Sequence, residues 1–144
     1  MISTVPLPAL LPATYSQAAL RGLKGKCPRC GEGGLFRKFL KPVDTCPACQ
    51  QDWSIQQADD FPAYVAIIVT GHLLAPIMIA SIVEWELSPT AALAIIMPLA
   101  VVMMVGMLQP AKGAIIATQW WHGLHGFVRE RAPDLAEVAP DSAA

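Results

Sequence analysis

The sequence lacks charge over two long stretches. No Asp, Glu, Lys or Arg occurs between Phe61 and Val83, and none between Leu87 and Gln109. Charged residues make up only 15% of the 144 positions and hydrophobic ones 54%, with a mean hydropathy of +0.46. A water-soluble helical hairpin needs a polar face on each helix, and these runs have almost none. Also missing is any Lys or Arg before Arg21, and Pro6, Pro8 and Pro12 break the only early apolar run. The N-terminus therefore lacks the charged and continuous apolar parts of a secretory leader. The net charge of −1 gives no overall attraction to nucleic acid or anionic lipid. No nucleophile–base pair, phosphate-cradling glycine loop or pair of catalytic carboxylates is visible, so no enzyme is expected.

The two charge-free runs are long enough to cross a bilayer. Residues 62–83 would make a helix of roughly 33 Å, and residues 90–108 one of roughly 28 Å, at ~1.5 Å per residue. A hydrocarbon core is ~30 Å thick. Pro76 and Pro98 lie inside the runs, where membrane helices tolerate them. Asp59 and Asp60 ahead of Pro62 mark a helix start, and an acid–base role is the alternative reading. Glu84 to Pro89 forms a polar turn. After Pro110 the pattern changes: Ile116, Trp120, Leu124 and Phe127 share one helical face, with Thr118, His122, His125 and Arg129 roughly opposite. This predicts an amphipathic helix over 111–129 lying in the membrane interface.

The cysteines come in two pairs, Cys27/Cys30 and Cys46/Cys49, each with two residues between and with fifteen residues separating the pairs. One tight turn can aim both sulfurs of a pair at one ion, and the loop brings the second pair round to close a tetrahedron. Structural Zn²⁺ is the expected occupant. Four thiolates on a divalent ion leave a charge of −2, which Arg29, Arg37, Lys38 and Lys41 are placed to offset. Iron in the same ligands, or a redox-active Cys-x-x-Cys pair, is the alternative.

Arg21, Lys24, Lys26, Arg29, Arg37, Lys38 and Lys41 precede the first run, and Lys112, Arg129 and Arg131 follow the second. The turn between has only Glu84 and Glu86. This asymmetry puts both termini in the cytoplasm. Disulfides do not persist there, which favours a metal.

The segments CPRCGEGGLFRKFLKPVDTCPACQQDW, ADDFPAYVAIIVTGH and LQPAKGAIIATQW resemble the bacterial family catalogued as domain of unknown function 983. The resemblance runs from about Gly25 to Trp120. It implies a small two-helix inner-membrane protein with a zinc-ribbon-like head, and no particular activity. Members in some bacteria lie near genes for haem–copper oxidase assembly. Gln50 stands where that family often has Gly after the last Cys.

The expected architecture is a mainly α membrane protein. Residues 1–20 are a flexible tail, 21–58 a cytoplasmic head holding zinc through Cys27, Cys30, Cys46 and Cys49, and 59–110 a transmembrane hairpin. Residues 111–129 form the interfacial helix and 130–144 a disordered tail. Beyond the cysteines, His72 within the first run, Asp59, Asp60 and Lys112 are candidate functional residues. For His72, a hydrogen bond to the neighbouring helix is the plainer reading. Met97, Met103, Met104 and Met107 read as packing rather than as a copper path. The expected partners are the lipid bilayer and an unidentified membrane protein. The role is that of a non-catalytic adaptor or assembly factor, with metal or thiol-redox handling as the alternative. The few basic residues and the absence of an aromatic stripe do not favour nucleic-acid binding.

Overall fold

In the computed structural model, which describes residues 11–130, the first element is a short helix that straddles the expected boundary at residue 20 between tail and head. Helix α1 spans Tyr15–Leu23. Thr14 supplies its N-cap, accepting a hydrogen bond from the Gln17 N–H, while the Gln17 side chain accepts one from the Ala13 N–H. The pair of bonds is a variant of the capping box, with the N–H before the N-cap taking the place of the N-cap's own, and it offsets the weak propensity of the segment. Strands β1 (Phe36–Lys38) and β2 (Lys41–Pro42) form an antiparallel hairpin. Two long helices follow, α2 (Phe61–Val83) and α3 (Pro89–His122), and then a 3₁₀ turn at Leu124–Gly126.

The two apolar helices lie side by side. Pro62, Ala66, Thr70 and Leu74 of α2 recur every four residues and form its buried stripe. Both helices are long and apolar enough to cross a bilayer, with mean hydropathy 2.2 and 2.5 over their most apolar stretches. Only 22% of the first stretch and 6% of the second is buried, so neither is covered like the core helix of a soluble protein.

Helix α3 departs from expectation. It does not stop near Leu108 but runs unbroken through Pro98 and Pro110 for 34 residues. At ~1.5 Å per residue that is roughly 51 Å, well beyond a ~30 Å apolar layer. An internal proline costs a helix ~3 kcal/mol. Here the following turns recover it by packing: Ala111, Gly113, Ile116, Ala117, Gln119 and Trp120 are all buried. The amphipathic face is thus real, but it meets protein instead of lying as a separate interfacial helix over 111–129.

Two bodies cover that face. On one side α1 crosses it at Gly22 and Gly113, where a Cβ on either residue would collide with the backbone carbonyl of the other. Ala18, Gly22 and Ala117 let the two backbones meet this closely. On the other side sits the cysteine-bearing head. Trp53 packs edge-on against Trp120 at a ring distance of 6.4 Å, and Phe127 closes over Trp53 at 5.6 Å. Leu35, Trp53, Ile116 and Trp120 join the cysteines in a single buried cluster. Gln119 adds a polar clamp: its side-chain amide donates to the Gln57 carbonyl at 2.7 Å and accepts from the Gln57 N–H at 3.0 Å.

Of the expected disordered tail, all but Glu130 lies outside the described residues, as do residues 1–10 of the expected N-terminal tail. Trp120→Ala should cost about 3–5 kcal/mol, the usual range for removing a buried tryptophan. The head should then become protease-sensitive while both long helices stay resistant. Limited proteolysis with fragment mapping checks this. A tryptophan lying in lipid would leave the head unaffected.

Candidate metal centre

The head is built from two matching turns. In each, a Cys-Pro-x-Cys sequence bends so that the N–H after the second cysteine returns to the carbonyl of the first. Gly31 donates to the Cys27 carbonyl at 2.8 Å, and Gln50 to the Cys46 carbonyl at 3.0 Å. The first cysteine of each pair then donates onward, Cys27 to the Gly33 carbonyl at 2.7 Å and Cys46 to the Gln51 carbonyl at 2.9 Å. These bonds turn the backbone so that both sulfurs of a pair face inward. The turn needs positive φ at its last residue, which is 73° at Gly31 and 59° at Gln50. The second turn thus keeps its geometry without glycine, at a backbone cost of about 1–2 kcal/mol.

The four sulfurs lie within 4.8 Å of one another. The Cys27–Cys49 and Cys30–Cys46 pairs are both 3.8 Å apart. A tetrahedral ion with metal–sulfur bonds of ~2.3 Å sets its ligands ~3.8 Å apart. A disulfide would require ~2.05 Å, and all four cysteines are free. The two close pairs each join one turn to the other. Among the described residues these four cysteines are the group of ligand-type side chains near enough to hold an ion together. Cys27, Cys30 and Cys46 are buried, with Cys49 at the edge.

Packing tightens the cage. A Cβ placed on Gly33 would lie 2.5 Å from the Cys46 sulfur, so only glycine fits against the cluster there. Two guanidinium groups hold the turns from outside. Arg21 of α1 donates to the carbonyls of Pro28 and Arg29, at 3.3 and 3.1 Å. Arg29 donates to the Cys49 carbonyl at 3.1 Å and pairs with the Glu130 carboxylate. Arg37 instead makes an exposed ion pair with Asp44 at 3.7 Å, and Lys38 and Lys41 stand on the hairpin surface. Of the four cations expected to support the cage, Arg29 holds it, Arg37, Lys38 and Lys41 face away from it, and Arg21 joins Arg29 instead.

The sulfurs divide their protons unequally. The Cys27 thiol is pushed far up by its hydrogen bond to Cys49 and by burial. Cys49 is held down at about 4, chiefly by the hydrogen bond from Cys27. Burial raises Cys46. A metal displaces the protons that remain, so binding releases protons and acid opposes it.

The profile of the family described as Protein of unknown function (DUF983) matches residues 36–120. The chain belongs to this family. The matched stretch carries Cys46, Cys49, both long helices and the Trp120 end of α3. It begins after Cys27 and Cys30, and the fold brings these onto the family segment. No curated protein and no solved structure shows significant similarity to the chain.

The other candidates are scattered. His72 is exposed on α2, and its Nδ1 lies 2.8 Å from the Ile68 carbonyl of the same helix. It does not reach the neighbouring helix as expected. Asp60 occupies the N-cap position of α2, yet its side chain makes no capping bond, and Asp59 beside it is exposed. Lys112 is half-buried on α3 next to the Gly113 crossing. None of these approaches the sulfur cluster. Sequence reading missed Arg21, Gln119 and Glu130. Only Gln119 had a signal, as the lone amide on the apolar face that ends in Trp120.

One metal ion per chain is expected by elemental analysis, lost in Cys46→Ser together with the fold of the head. Gly33→Ala should also lose the ion, although it removes no ligand, because the new methyl displaces the Cys46 sulfur. Full metal content in Gly33→Ala would contradict the geometry above. A second expectation concerns Gln50→Gly. It relieves the positive-φ cost and should raise the stability of the metal-loaded head by about 1 kcal/mol, measured by denaturant titration.

Proposed function

We propose that this protein is a membrane-anchored adaptor whose head is folded by structural Zn²⁺ and presented to a membrane-protein partner on the cytoplasmic side. The observation that carries it is the union of a closed four-sulfur cage with the protruding end of α3. A cage of four thiolates leaves no position for substrate, which suits a structural ion. The large exposed apolar surface of α2 and of the first turns of α3 suits lipid. The head packs beside the C-terminal end of α3, so the described residues before α2 and those after α3 lie at one end of the hairpin. That agrees with the Lys/Arg asymmetry and with an inner-membrane protein whose termini are cytoplasmic. Zinc is preferred over iron or copper because a non-redox ion fits a role in folding alone. The partner process, with oxidase biogenesis as one candidate, rests on the family resemblance.

The alternative is thiol-redox or metal handling. Its support is Cys49, the sulfur at the edge of the cage, held down to about 4 by the hydrogen bond from Cys27, a combination that favours reactivity.

Two measurements decide between them. Purified from membranes in a mild detergent, the chain should carry zinc and resist alkylation of its cysteines until chelator is added. It should also capture a defined set of membrane proteins, which Cys46→Ser loses while remaining inserted. Copper in the purified protein, or ready cycling between dithiol and disulfide, would favour the alternative. An unchanged set of captured proteins with Cys46→Ser would remove the head from the binding role.

A further inference from the structure

The hairpin tip of the head breaks the ordinary rules of its turn. A two-residue β-hairpin loop favours Asn-Gly or similar pairs, because positive φ is needed there. Here the loop is Phe39-Leu40, and Leu40 sits at φ 61°. Phe39 is 53% exposed. Lys38 and Lys41 flank the tip and face each other as register partners. Like charges directly opposite in a strand pair are destabilising in water. An apolar tip, a strained turn and two opposed cations together are a cost in local stability, which points to function.

The tertiary structure shows where the tip lies. Phe39 lines one cleft with Leu23 and Lys24 at the end of α1 and with Gly106, Gln109 and Pro110 of α3. On α3 these last three residues stand where the exposed apolar stretch, ending in residues such as Val101, Val102 and Val105, gives way to the half-buried residues 107–110. The tip is therefore level with one end of the apolar belt. Gly106 leaves the α3 side of the cleft open, since a Cβ there would meet nothing within 4 Å. Lys24, Lys38 and Lys41 are not ion-paired among the described residues.

We propose that this cleft and hairpin tip form a binding site for an anionic phospholipid. The lipid phosphate sits among Lys24, Lys38 and Lys41, its acyl chain lies in the groove at Gly106, and Phe39 enters the bilayer surface beside it. The inference rests on the membrane-inserted reading above. The opposed lysines, unfavourable in water, become favourable when an anion lies between them. Each lysine near an anionic bilayer surface is worth about a fivefold preference.

The test uses the full-length protein extracted from membranes in a neutral detergent. Co-purified lipid is counted by mass spectrometry, and thermal unfolding is followed with added phosphatidylglycerol or phosphatidylcholine. Wild type should retain phosphatidylglycerol preferentially and be stabilised by it. The Lys24→Gln/Lys38→Gln/Lys41→Gln variant should lose at least tenfold of that preference with its metal content unchanged. Phe39→Ser should retain less of both lipids. An unchanged phosphatidylglycerol preference in the triple variant would overturn the proposal. So would equal stabilisation by inorganic phosphate, which would mark a simple anion site. Alkaline carbonate separates the two layers of the inference. Release of the protein by carbonate would overturn the membrane reading and this site with it, whereas a carbonate-resistant protein with no lipid preference would overturn the site alone.

Discussion

The contact between Trp53 and Trp120 is the hinge of this structure. One ring belongs to a head held by four cysteines and the other to a helix that begins among apolar residues many turns away. Both are fully buried. The head alone has few large side chains, and a segment of that size lies below the length at which domains usually fold without a staple. The four-cysteine cage offers a site for one staple, a bound ion, and the end of α3 supplies another. Phe127 and the Gln119 amide clamp extend the same contact. The head is thus fixed in position relative to the two long helices, which a flexible tether would not achieve.

This shared core also explains why helix α3 ignores Pro110. Helical propensity would end it there, and the lost backbone bond is a real cost. The residues beyond Pro110 bury Ile116 and Trp120 against the head and let Gly113 meet Gly22 of α1 at close range. These tertiary contacts exist only if the helix continues. The run Pro110-Ala111-Lys112-Gly113 then has a partial physical meaning. Its glycine marks the point where two helix backbones cross, while the role of Lys112 is not explained by its contacts.

Positive φ outside glycine occurs at Leu40, Gln50, Glu86 and His125, and the first two bear on the apolar belt and the cage. Gln50 takes positive φ to complete the second cysteine turn, and Leu40 takes it at the hairpin tip. The first is compensated within the four-sulfur cage, since the turn is needed to aim two sulfurs. The second has no such compensation within the head. That difference is why the tip, and not the second turn, invites a ligand.

Much of the molecule was legible in the residues. Charge-free runs of spanning length can only be apolar helices, and paired Cys-x-x-Cys motifs at that spacing can only converge with difficulty on anything but an ion. Those features are local, and local chemistry determines them. The start of α1, the continuation of α3, the burial of Trp120, and the choice of Arg21 over Arg37, Lys38 and Lys41 to join Arg29 were not legible. Each depends on which surface of one element meets which surface of another. An amphipathic face announces that something apolar will cover it. Periodicity is the same whether that cover is lipid or protein, so only the tertiary structure could show that the cover is the protein's own four-cysteine head.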